Sequence, residues 1–214
     1  MIAARILSVL LGYVFGLFQT GYIYGKSKGI DIRTEGSGNA GTTNSLRVLG
    51  LKAGAVTFIG DLLKAILAVL LAGFIFREKY PDTVRLLQFY AGFGVVLGHN
   101  FPFYLGFKGG KGIACTAGVI LAIYPQAAIA CMLVFILVLV LTHYVSFSSI
   151  CMIIVFLICV ILGGVYGILG VAQAQVIEFE ILAACFAGMA IWRHRANIVR
   201  LIHGTENKLS IKKK

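Results

Sequence analysis

Long, nearly unbroken runs of apolar residues dominate this chain, and short polar stretches separate them. Runs of this length read as transmembrane α-helices, because the ~30 Å hydrocarbon core of a bilayer takes about 20 apolar residues to cross. The pattern predicts spans at about 4–25, 53–76, 84–104, 110–125, 126–143, 149–170 and 177–193. The fourth run is short, and its length alone would also allow a re-entrant segment. No internal repeat, low-complexity tract or second domain interrupts the series, so residues 1–214 read as a single polytopic membrane domain. The predicted fold class is an all-α integral membrane protein with seven transmembrane helices, N-terminus outside and C-terminus cytoplasmic.

Charge decides the orientation. If all seven runs cross, fourteen basic residues share one side, in 26–52, 99–112 and 193–214, while Arg5, Arg77, Lys79 and Arg85 lie on the other. Lys64 is left within a span. Such an excess marks the cytoplasmic side. A fourth run that failed to cross would export the basic tail, which is the poorer reading. Hydrophobic residues at 59%, charged residues at 13% and a mean hydropathy of +0.94 exclude a soluble globule. The net charge of +11 is met by topology and by attraction to anionic membrane lipid, so no nucleic acid is called for. All five cysteines lie inside apolar runs without CxxC spacing, so neither a disulfide nor a metal is expected. Arg5 and the apolar run after it resemble a signal peptide, but without an A-x-A site an uncleaved first span is expected.

Three polar segments then stand out, all on the basic side. The first is EGSGNAGTTNSLR, residues 35–47. Gly36, Gly38 and Gly41 match GxGxxG letter for letter, but no strand precedes them, so the dinucleotide reading is rejected. Glycines still let backbone N–H groups approach an anion. Ser37, Asn39, Thr42, Thr43 and Asn44 add hydroxyls and amides, and Arg47 adds a fork suited to phosphate or carboxylate. The plainer reading is a flexible loop with Thr43 or Asn44 capping the second span.

The second is GHNFPFYLGFKGGKG, residues 98–112. It is not a Walker A loop, since Leu105 stands where the first glycine would be and Gly112 follows Lys111. Lys108, Gly109, Gly110, Lys111 and Gly112 run directly into the fourth span, which places a helix N-terminus beside two ammonium groups. Topology anchors alone would account for the lysines but not for the glycines. His99 and Asn100 could cap or hydrogen-bond there. The third is HRANIVRLIHGTE, residues 194–206, basic and amphipathic if helical. His194, Asn197 and Leu201 share one face, while Arg195 and the Lys212–Lys214 tail are read as meeting lipid headgroups. Asp61 and Lys64, at i and i+3 within the second span, are either a structural ion pair or support for the loops. Ser146 and Ser148 lie in a short loop on the same side.

Two functions from different classes fit. One is an enzyme acting on a lipid-like substrate with a phosphorylated partner; the other is a carrier for an organic phosphate. A carrier needs its site near the midplane. Here the polar chemistry collects at one interface, which favours the enzyme. A purely structural membrane protein would leave the glycine–lysine loop unexplained.

At this point three segments, SGNAGTTNSLR, GHNFPFYLGFKGGKGIACTAGV and HRANIVRLIHGTE, resemble the signature motifs of the bacterial acyl-phosphate:glycerol-3-phosphate acyltransferases, the PlsY family. GDLLK around Asp61 and YVS at 144–146 also look like family features; His143, where many members carry arginine, departs. The resemblance covers about residues 36–208. It implies seven spans and transfer of an acyl group from acyl phosphate to the 1-hydroxyl of glycerol 3-phosphate in the bacterial inner membrane. The site would be on the cytoplasmic face, with no cofactor. Ser37, Lys108, Lys111, His194 and Asn197 are then the candidate catalytic residues. Gly36, Gly38, Asn39, Thr42, Thr43, Asn44, Arg47, His99, Gly109, Gly110, Gly112, Ser146, Arg195 and Glu206 are candidates for substrate binding, supported by Asp61 and Lys64. Oligomeric state is not legible, and a monomer is the working expectation.

Overall fold

A computed structural model of the chain describes residues 1–209; the Lys212–Lys214 tail lies outside them. Ten α-helices make up the described chain: α1 (Ile2–Gly16), α2 (Thr20–Ser27), α3 (Thr42–Leu49), α4 (Leu51–Phe76), α5 (Val84–Asn100), α6 (Ile113–Ile123), α7 (Pro125–Thr142), α8 (Val145–Val165), α9 (Val176–Arg193) and α10 (Arg195–Ile202). Five stretches are long and apolar enough to cross a membrane: Ile2–Ser27, Leu51–Phe76, Pro125–Thr142, Val145–Val165 and Gln173–Arg193. α5 has 17 residues and α6 only 11, so α6 is about 16 Å long.

The first predicted span is broken. α1 stops at Gly16 and α2 starts at Thr20. A break frees backbone carbonyls, and a buried carbonyl needs a donor. Lys64 Nζ from α4 donates to Phe18 O at 2.6 Å, and Gln19 Nε2 donates to Gly16 O at 3.1 Å and to His99 O at 3.0 Å. The third predicted span also ends early, at Asn100. The residues that follow form a short 3₁₀ turn, Phe103–Leu105, and the sunken loop that precedes α6. Between α6 and α7 the chain turns at Tyr124, because the proline at 125 bars helix geometry for the residue before it.

Close backbone contact holds α1 against α5. A Cβ at Gly12 would lie 1.8 Å from Ala91 O, and one at Gly94 2.1 Å from Val9 O, so only glycine permits this approach. Farther in, Phe89 stacks on Phe179 and Phe186, with ring centroids 4.2 and 4.9 Å apart, joining α5 to α9. Where α9 begins, Glu178 accepts from Arg5 Nη2 at 2.6 Å and from Tyr90 Oη at 2.7 Å, tying α1, α5 and α9. The polar segments gather where α5 and α9 end, at the opposite end of the bundle.

Candidate active site

That end holds a cavity of about 650 Å³. All three polar segments of the sequence line it, with Gly36, Ser37, Asn39, Thr42, Thr43, Asn44 and Arg47 from the first. Lys111 and Gly112 come from the second, and His194, Arg195, Asn197 and Glu206 from the third. His99, Asp61 and Ser146 also reach it.

Four helices begin at this cavity. The first residues of α3 (Thr42, Thr43), α6 (Ile113, Ala114), α8 (Val145, Ser146) and α10 (Arg195, Ala196) all line it. The first N–H groups of a helix have no partner within it, and its dipole places partial positive charge there. Five cationic side chains join them: Arg47, Lys111, Arg193, Arg195 and Arg200. The two acids in the wall are already paired, Asp61 with Lys64 at 2.8 Å and Glu206 with Arg200 at 2.8 Å. Net positive potential therefore faces the cavity, which suits phosphate. Two hydroxyls, Thr42 Oγ1 and Ser146 Oγ, are buried in the wall without a partner among the described residues. An unpaired buried hydroxyl is costly, and a ligand oxygen would satisfy each of them. Apolar side chains, including Phe58, Ile113, Phe135 and Val145, complete the lining.

The glycine–lysine loop is held from three sides. Gly109 N–H donates to Asn100 O at 3.2 Å and Gly110 N–H to His99 O at 3.1 Å. Arg193 donates to Gly109 O at 2.9 Å and to Gly110 O at 2.6 Å, its guanidinium 5.5 Å above the Phe101 ring. Asn39 Nδ2 reaches Gly109 O at 3.5 Å. A Cβ at Gly110 would fall 2.0 Å from His99 Nε2, and one at Gly109 2.0 Å from His99 O, so both positions require glycine. Gly109 and Gly110 thus spend their N–H groups on the end of α5, and neither lines the cavity. Lys108 is exposed and also outside the lining. The loop delivers one lysine, Lys111, whose Nζ donates to Asn197 Oδ1 at 2.6 Å. Burial pulls the Lys111 ammonium down to about 8; Glu206 opposes this, while Arg200, Arg193 and Arg47 add to it.

Asn197 passes the contact on. Its Nδ2 donates to Glu206 Oε1 at 2.8 Å, and Arg200 Nε donates to Glu206 Oε2 at 2.8 Å. Glu206 is therefore committed on both oxygens, and its carboxylate organises two neighbours. Asn44 likewise spends its amide locally. Nδ2 donates to Ile32 O and Glu35 O, both at 3.0 Å, and Oδ1 accepts from Ser37 N–H at 2.8 Å. It fixes the glycine loop and does not cap the second span, because residues 42–49 form a helix of their own. Gly36 and Gly38, at φ of +59° and +69°, make the turns that this clamp requires. The backbone of His143 adopts φ of +60°, and its carbonyl accepts from Leu209 N–H at 2.7 Å, so this position ties the C-terminal strap to the end of α7.

His194 Nδ1 sits 2.8 Å from Ala190 O, which accepts only, so the proton is on Nδ1 and Nε2 keeps its lone pair. Burial, reinforced by Lys111, draws this imidazole down to about 4. Asp61, His99 and Cys115 offer atoms within 4.8 Å of one another, the spacing of a metal-ligand set. The Lys64 ammonium is bonded to two of the three, 2.8 Å from Asp61 Oδ1 and 2.9 Å from His99 Nδ1, and supplies the positive charge itself.

Two cavity cations escaped the sequence reading. In the sequence Arg193 reads as the end of a span and Arg200 as part of a basic helix; the run RHR and the spacing from Asn197 to Arg200 are the signals that mark them. Comparison with known proteins then decides the family. The sequence matches the family described as "Glycerol-3-phosphate acyltransferase" over residues 6–204. The chain belongs to this family. A glycerol-3-phosphate acyltransferase of Clostridioides difficile (strain 630) is 44% identical, over 99% of this chain and 98% of the relative. One from Alkaliphilus metalliredigens (strain QYMF) is 43% identical, over 97% of each. Crystal structures of PlsY (YgiH), described as an integral membrane glycerol 3-phosphate acyltransferase, share the fold at 32% identity. Its glycerol 3-phosphate form gives a TM-score of 0.82 over 96% of each chain. Its lysophosphatidic acid form gives 0.81, over 97% of this chain and 96% of that one.

Proposed function

We propose that this protein transfers a fatty acyl group from acyl phosphate to the 1-hydroxyl of glycerol 3-phosphate, giving lysophosphatidic acid and inorganic phosphate. The observation that carries this reading is that four helix N-termini and five cationic side chains converge on one cavity beside apolar walls. Both substrates bear phosphate, and one bears an acyl chain. Acyl phosphate is already an activated mixed anhydride. The glycerol oxygen bonds to the acyl carbon, the bond from that carbon to the phosphate oxygen breaks, and the hydroxyl proton passes to phosphate. Holding two substrates in reacting geometry can itself supply ~7–11 kcal/mol of the barrier.

Lys111, the α6 N-terminus and Gly112 stabilise charge that develops on the departing phosphate and the carbonyl oxygen. Arg47, Ser37, Thr42 and Thr43 bind the second phosphate, with the buried Ser146 hydroxyl in the wall and Arg195 at the rim. Asn197 orients Lys111. His194, at about 4, is a weak base, and its Nε2 lone pair orients the hydroxyl by accepting its hydrogen bond. The phosphate of glycerol 3-phosphate, with a second pKa of about 6, is the better acceptor for the proton.

No acyl-enzyme forms in this scheme. Among the described residues Ser37 has no histidine within hydrogen-bond reach, which a serine nucleophile would need. The protein crosses the membrane seven times, α1 and α2 together making the first crossing. The cavity then opens to the cytoplasm of a bacterial inner membrane, and the chain acts as a monomer. Purified protein should give intersecting initial-rate lines and lysophosphatidic acid. Parallel lines, with a hydroxylamine-labile acyl adduct on Ser37, would overturn the direct transfer.

A further inference from the structure

Lys64 is buried in α4, and three acceptors surround its ammonium: Phe18 O at 2.6 Å, Asp61 Oδ1 at 2.8 Å and His99 Nδ1 at 2.9 Å. An ammonium has three protons and no lone pair, so those three close contacts consume its donors, and Gly16 O at 3.4 Å is a weaker fourth. His99 Nδ1 must then accept. The only ring proton of a neutral imidazole is left on Nε2, on the edge beside Gly110. A second ring proton is disfavoured, because the Asp61 carboxylate is already neutralised by Lys64 and Thr20 Oγ1 donates to it at 3.1 Å. His99 is 3% exposed, it lines the cavity, and Nε2 has no partner among the described residues.

We propose that Lys64 is a positioning residue that locks His99 as the Nε2–H tautomer, so that the ring serves the cavity as a hydrogen-bond donor to a substrate oxygen and never as its base. The two buried histidines of the cavity then have opposite senses. His194 is held as Nδ1–H by Ala190 O and offers a lone pair, while His99 is held by Lys64 and offers a proton. An oxyanion is favoured on the His99 side and a hydroxyl proton on the His194 side. This assignment deepens the acyl-transfer reading, and the choice of oxyanion rests on it; the tautomer itself does not.

The test is a ¹⁵N spectrum of the full-length protein, labelled at histidine, in lipid nanodiscs without substrate. His99→Gln identifies the His99 signals by their loss. The expected spectrum has His99 Nε2 protonated and Nδ1 bare; a protonated Nδ1, or a doubly protonated ring, overturns the proposal. Lys64→Met should release the lock and move the proton to Nδ1, toward Asp61 Oδ1, which lies 3.7 Å away. An unchanged tautomer in that variant removes Lys64 from the role. In turnover, His99→Gln keeps a donor near the Nε2 position and should hold KM for glycerol 3-phosphate or acyl phosphate near wild type. His99→Asn should raise one of them roughly tenfold or more, with kcat less affected. Equal KM values for the two variants would contradict a donor role. A protein with the predicted spectrum and no acyltransferase activity would refute the proposed function and leave the tautomer lock standing.

Discussion

Lys111 Nζ and Asn197 Oδ1 lie 2.6 Å apart across 86 positions of sequence, joining the glycine–lysine loop to the C-terminal basic helix. The contact fixes the direction of an ammonium that is half-buried in the cavity wall. Burial in that wall, rather than the contact, makes the ammonium titratable near neutrality, drawing it down to about 8.

A pH dependence follows. The ammonium is charged below about 8 and neutral above it, so phosphate stabilisation is present at lower pH and is lost as pH rises through about 8. An unperturbed lysine would keep its charge to about 10.4. Initial-rate kcat/KM, which reports the free enzyme, should fall above about pH 8. Lys111→Arg should lose that limb whatever its residual rate, because a guanidinium stays charged throughout. Lys111→Ala should lower kcat/KM by ~100-fold or more. A flat profile to pH 10 would show that Lys111 is not the group on which binding depends.

Arg47 is exposed on α3 and has no side-chain partner among the described residues. Arg47→Ala should leave thermal stability within ~0.5 kcal/mol of wild type. Its kcat/KM should fall roughly ten- to a hundredfold, the loss expected for hydrogen bonds to a charged group. Arg47→Lys should restore little, since the planar fork is absent. Unaltered kinetics in both variants would remove Arg47 from the site.

Gly110→Ala should fail at the level of packing. Its Cβ would meet His99 Nε2 at 2.0 Å, and relief would push the loop off α5 or the ring off Lys64. Overpacking of this kind costs ~1–3 kcal/mol, and turnover should fall further than stability because Lys111 moves with the loop. Gly106→Ala is the control: it has open space but a φ of +63°, so it should show a modest stability loss with near-normal KM. Thermal melts and KM values for the two variants decide this.

Topology can be read by labelling. In a background without native cysteines, single cysteines at Lys28, Lys108 and Lys208, all exposed, should resist an impermeant thiol reagent in intact cells. Labelling of any of them from outside would break the assigned orientation.

Hydropathy revealed much of the scaffold, because lipid exposure demands an apolar surface along α4, α7, α8 and α9 whatever their neighbours. Less legible was anything settled by a tertiary partner. The carbonyls freed between α1 and α2 are satisfied by Gln19 from within the break and by Lys64 from α4, and the distant partner is not visible in the local sequence. α3 was concealed in a loop whose glycines and amides suggested flexibility, yet Asn44 clamps it from within. At the site, residue types pointed to phosphate, and the cavity gathers most of them. Their division of labour was hidden: Gly109, Gly110 and Glu206 spend their polar groups on the protein, and Arg193 grips the loop from a helix end that looked like a membrane boundary. The meeting of four helix N-termini is a property of the packed bundle alone.

The central claim is that this cavity uses acyl phosphate as its donor, and paired assays on one preparation test it most directly. Purified protein in lipid, with glycerol 3-phosphate and either palmitoyl phosphate or palmitoyl-CoA, should form lysophosphatidic acid with the first and little or none with the second. The product should disappear in Lys111→Ala. Equal or faster product formation from palmitoyl-CoA would contradict the account.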